Sequence, residues 1–138
     1  MESAIDVMQK IELAAKKRAK PDSVAYGSLA IGDYHWQGDV CIVKAAKKPA
    51  DCKKIKNPSA QLAPGNTQGS RHIISDATFE FCTFYTHKNQ TPLDGPIIVA
   101  SDKFEVTHPE HGHCTFPAGI YAVRYQRLYA QELKRILD

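Results

Sequence analysis

The feature that most constrains this chain is a change in hydrophobic period near residue 38. From there on, apolar residues come in short β-branched or aromatic runs, each cut off by Gly, Pro, Asn or Asp. The runs are "DVCIVKAA" (39–46), "RHIISDATFEFCTFY" (71–85), "PIIVASDKFEVTH" (96–108) and "CTFPAGIYAVRYQRLY" (114–129). Short runs of this composition bounded by turn residues form strands rather than helices. Before residue 38 the period is helical. Ile5, Met8, Ile11 and Ala15 fall on one face, and Pro21 ends the pattern. A second short helix is expected at 130–138, with Leu133, Ile136 and Leu137 on one side. The expected fold is mainly β (α+β), a small antiparallel barrel or jelly roll of about six to eight strands. A helix over 1–20 would precede a single β-rich domain over 21–138.

A chain of 138 residues has room for one core. Its apolar content of 43% and charged content of 24% are typical of a soluble globular protein. No apolar run approaches the roughly 20 residues that span a bilayer. The first twenty residues lack the continuous apolar stretch of a secretory signal. A cytoplasmic protein without a membrane partner is therefore expected. Cys41, Cys52, Cys82 and Cys114 stand too far apart for a zinc knuckle and are expected as free thiols. The net charge of +3 is mild, but Lys44, Lys47, Lys48, Lys53, Lys54 and Lys56 share one segment. Such a run is either solvated surface or a guide for phosphate-bearing ligands. Nucleic acid is weakly indicated, because no aromatic residues interleave with the lysines.

Chemistry concentrates in "THPEHGH", residues 107–113. His108, Glu110 and His111 are the ligand types that zinc or manganese uses, so a divalent metal is one reading. Paired histidines also serve as metal-free acid and base, since imidazole titrates near neutrality. As loop side chains, they should be replaceable without loss of the fold. "QGSRHII" adds Arg71, which can grip a phosphate, and His72 at the mouth of a strand. If 119–127 is a strand, Tyr121, Val123, Tyr125 and Arg127 share one face. Arg124 and Gln126 share the other and would line a polar cavity if that face is interior. Trp36, in "YHWQGDV", is expected as a core anchor or as a surface that stacks on a base.

"QGDV", "HPEHG" and "PAGIYAVRYQR" together resemble a family of small, mostly uncharacterised proteins from phages, plasmids and bacteria. Its members carry Q-G-D-V/I-L, T-G-H-x-H, H-x-E-H-G and P-x-G-x-Y-x-V-x-x-Q-R. The resemblance covers roughly residues 36–129. "GSRH" stands here where the family has G-H-x-H, so His72 matches the second histidine and Ser70 replaces the first. The resemblance implies a fold and a site more than a reaction. His72, His108, Glu110 and His111 are the expected catalytic set. Arg71, Tyr121, Arg124, Gln126, Arg127 and Trp36 are the expected ligand contacts. The expected function is metal-independent phosphodiester hydrolysis of a nucleotide or cyclic nucleotide signal, in a phage anti-defence role within a bacterial cytoplasm. Two alternatives are a nucleotide-sequestering protein without turnover and a cupin-like metalloprotein. Self-association is open.

Overall fold

A computed structural model describes residues 23–63, 72–109 and 112–126. The expected helices over 1–20 and 130–138 lie outside these residues. The described chain is mainly β. Its strands are β1 (Val24–Ala25), β2 (Tyr34–Gln37), β3 (Val40–Ala45), β4 (Lys53–Lys54), β5 (Ile73–Ile74), β6 (Cys82–Thr86), β7 (Asp94–Ala100), β8 (Phe104–Thr107), β9 (Cys114–Phe116) and β10 (Gly119–Tyr125). One helical turn, α1 (Asp76–Phe79), precedes β6. No helix among the described residues is long and apolar enough to cross a membrane.

The strands form two sheets, ordered β1-β9-β8-β5 and β2-β3-β10-β7-β6-β4. All pairings are antiparallel except β1 on β9. The expected barrel is corrected here: among the described residues the two sheets stay separate and no barrel closes. Closure needs a continuous ladder around the circumference. The end strands β1, β4 and β5 are only two residues long and cannot carry one.

The sheets face one another across a single core. Val40, Ile42, Phe84, Ile98, Tyr121 and Val123 enter it from the larger sheet. Ile74, Phe104, Val106, Cys114 and Phe116 enter it from the smaller. Aromatic rings tie the layers together. Tyr121 of the larger sheet meets Phe104 and Phe116 of the smaller sheet edge-on at 5.2 and 5.5 Å, and Phe104 stacks on Phe116 within the smaller sheet at 5.2 Å. Burial alternates along β10: Tyr121, Val123 and Tyr125 are buried, while Arg124 is exposed. Large aromatic side chains claim the inner face because they remove the most apolar area from water.

Candidate functional site

The smaller sheet brings two histidines together. In the β5–β8 ladder Ile73 pairs with Thr107 and Ile74 with Val106. Extending that register by one step sets His72 opposite His108. Directly opposed residues of an antiparallel pair hold their Cβ atoms about 4.5–5.5 Å apart. The two imidazole centroids accordingly lie 4.5 Å apart, with the ring planes at 42°. Parity decides which way they point. Phe104 and Val106 face the core along β8, and His108 is the next residue of that set. Ile74 faces the core along β5, and His72 shares its parity. Both histidines are 0% exposed. They cap one end of the apolar interior instead of decorating a surface turn. The expectation that they could be replaced without cost to folding is corrected by this burial.

Gln37 completes the cluster from the other sheet. It ends β2 and is 1% exposed. Its Nε2 donates to Val106 O at 3.1 Å and to Gly112 O at 2.7 Å. Its Oε1 lies 2.8 Å from His72 Nδ1. This network orients the amide, because the flipped arrangement would press an oxygen against two carbonyl oxygens. With Oε1 an acceptor, His72 Nδ1 must carry the proton, and in the neutral ring Nε2 carries the lone pair. Two glycines make the arrangement possible. Gly38, at φ 59°, opens the two-residue turn from Gln37 to Val40. Gly112, at φ 85°, turns the chain so that its carbonyl meets Gln37.

Segment 60–63 braces His72 from behind. Leu62 N donates to His72 O at 2.7 Å, and Tyr125 Oη donates to Leu62 O at 2.6 Å. Beside Gln37 on β2, His35 takes a hydrogen bond from Tyr26 Oη at 2.7 Å or gives one to it. Burial lowers the pKa of His35 and raises that of Tyr26.

The other expected site residues do not join this cluster. Tyr121 is 0% exposed in the core, and its hydroxyl donates to Pro117 O at 2.8 Å. Arg124 is exposed on the face of β10 opposite its core residues, and Gln126, the residue after β10, is exposed too. They line no interior cavity, and Arg124 lies 3.9 Å from Asp94. Trp36 is 49% exposed, so its role as a core anchor is corrected. β2 is an end strand, and its parity turns Gln37 inward and Trp36 outward. Arg71, Glu110, His111 and Arg127 lie outside the described residues. Two of the clustered lysines serve the fold: Lys44 Nζ sits 5.0 Å from the Tyr121 ring centre, and Lys48 Nζ 4.2 Å from that of Tyr85.

A cavity of about 160 Å³ lies elsewhere, bordered by Ile55, Pro58, Leu62, Phe84 and Pro96. Its lining holds no acid, imidazole or thiol. Among the described residues no three metal-ligating side chains converge. The histidine pair is therefore where described titratable groups come closest to a reactive centre. Gln37 is the member that the sequence did not single out, although "QGDV" contains it. Its only local signal was its place just before a Gly-Asp turn, since the strand's aromatic residues pointed to the opposite parity as the buried one.

Comparison with curated proteins and with solved structures gave no match. A family model described as a domain of unknown function (DUF8820) matches residues 36–126. That span holds Gln37, His72 and His108 together with eight of the ten strands in full. Covering more than half of the sequence, the match assigns this chain to the DUF8820 family, and the chain belongs to it.

Proposed function

We propose that the Gln37–His72–His108 centre binds a divalent transition metal, making the domain a cupin-like metalloprotein. The observation that carries this reading is the locked tautomer of His72 inside a buried imidazole pair. A metal-ligating histidine typically donates its other ring N–H to a fixed acceptor, which leaves a lone pair for the metal. Gln37 is such an acceptor. The sequence supplies two more ligand types, Glu110 and His111, just after His108.

The test is metal analysis of purified protein, followed by loading of the chelated protein with Co²⁺. Nitrogen-ligated cobalt would give visible absorption bands that fall in His72→Gln and His108→Gln. Protein that arrives metal-free and gives no cobalt bands would refute the proposal.

The second reading keeps the pair as a metal-free acid and base that cleaves a nucleotide phosphodiester. It is favoured by the asymmetry of the pair, since a fixed tautomer aims one basic nitrogen as general-base catalysis requires. Chelated protein incubated with labelled cyclic nucleotides separates the two. Turnover without metal supports the acid/base reading. Retention of ligand without turnover supports a sequestering protein.

A further inference from the structure

Gln37 does two jobs with one amide, and both bear on the histidines. Resting on the reading that His72 and His108 are the working pair, we infer that Gln37 is the positioning residue of the site. Its nitrogen holds Val106 O and Gly112 O, the carbonyls at the two ends of the histidine-bearing loop. Its oxygen holds His72 in the Nδ1–H form. It reaches both from β2, an end strand of the opposite sheet. The site is thus closed by a clamp between sheets, and the loop enters and leaves at a spacing set by one side chain. The three hydrogen bonds have different chemical requirements. The loop clamp needs a donor, whereas the tautomer lock needs an acceptor.

Two substitutions pull these jobs apart. Gln37→Glu keeps an acceptor for His72 Nδ1–H but offers its oxygens to two carbonyl oxygens, so only the clamp is lost. Gln37→Leu keeps the approximate volume and loses both. The first readout is the imidazole ¹⁵N spectrum of the metal-free wild-type protein, which distinguishes Nδ1–H from Nε2–H rings. His72 is expected as Nδ1–H there and in Gln37→Glu, and should relax toward a mixture in Gln37→Leu. The second readout is Co²⁺ affinity by titration, expected to fall about 10–100-fold in Gln37→Leu. An Nε2–H signal for His72 in the wild type would overturn the inference. So would cobalt affinity in a folded Gln37→Leu equal to that of wild type. If wild-type protein takes no cobalt, the metal reading fails by itself. The tautomer measurement needs no metal, so it tests Gln37 separately from the metal reading, and an Nε2–H ring in the wild type overturns the inference even if neither variant folds.

Discussion

Replacing Tyr125 by Phe tests whether the brace behind His72 contributes what its geometry implies. Tyr125 is 8% exposed, and its hydroxyl donates to Leu62 O at 2.6 Å, itself in a residue 2% exposed. The substitution keeps the ring, so no apolar cavity opens and the loss is confined to the hydroxyl. A buried carbonyl that loses its donor costs about 1–3 kcal/mol. For a domain of this size, that corresponds to a fall in Tm of roughly 3–10 °C. Tyr121→Phe is the internal control. Its hydroxyl donates to Pro117 O at 2.8 Å in a partly buried setting, where water can substitute. It should cost about 0.5–1.5 kcal/mol. Urea denaturation with a shared m-value gives both numbers. Because Leu62 N also holds His72 O, the metal reading proposed above expects any cobalt affinity to fall in Tyr125→Phe and not in Tyr121→Phe. A Tyr125→Phe loss below about 0.5 kcal/mol, or one no larger than the Tyr121→Phe loss, would refute the reasoning.

His108→Ala should destabilise by about 2–4 kcal/mol in urea, in line with other fully buried large side chains, whereas a surface-loop histidine would cost almost nothing. Gly95→Ala should cost about 1–3 kcal/mol by thermal denaturation, because the added Cβ would lie 2.8 Å from Val123 Cγ1 and 2.9 Å from Tyr125 Oη. Native-state alkylation at pH 8, mapped by mass spectrometry, should spare Cys82 and Cys114, whose thiols burial pushes up to about 11 and about 12. Burial lowers the pKa of His35 from its ordinary 6.5, so on acidification the unfolded chain takes up this proton first. Its contribution to stability is full above about pH 6.5 and is lost as the pH falls toward the folded value, so His35→Gln should flatten that limb in pH-dependent denaturation.

The main strands were legible because their residues obey a local rule. The runs at 39–46, 96–108 and 114–129 became β3, β7 with β8, and β9 with β10. The run at 71–85 likewise gave β5 and β6 on either side of a helical turn. Alternation correctly sorted Tyr121, Val123 and Tyr125 from Arg124 and Gln126. It could not say which set faced inward, because a period of two has no preferred side. The aromatic bulk of Tyr121 and Tyr125 decides it. The two-residue strands β1 and β4 were illegible for a different reason. Nothing in "VA" or "KK" by itself separates strand from loop, and tertiary pairing with β9 and β6 makes them strands. The same applies to closure. Whether two sheets join into a barrel depends on edges meeting in space, and no local pattern records that.

The candidate site was half legible, and its missing half teaches more. Continuing the period of Phe104 and Val106 to His108 would have placed that histidine inside, so the burial was available in "FEVTH". Gln37 was hidden by the ordinary expectation that the larger apolar residue of a strand turns inward. In "YHWQ" that expectation inverts: Tyr34 and Trp36 are 64% and 49% exposed, and Gln37 is 1% exposed. Burying a primary amide without partners costs several kcal/mol, roughly 2–7 depending on the reference state. An inverted strand is therefore stable only where the interior already offers partners. Here it offers two carbonyls and an imidazole, and the amide uses three of its four hydrogen-bonding capacities on them. Local pattern and global fold disagree at few positions in a natural protein, and those positions tend to be functional. By that argument the inverted end strand marks the site more sharply than a histidine-rich stretch of sequence does, since histidines placed on a surface carry no comparable penalty. A second strand in this family with aromatic residues outward and an amide inward would lead to a polar centre by the same logic.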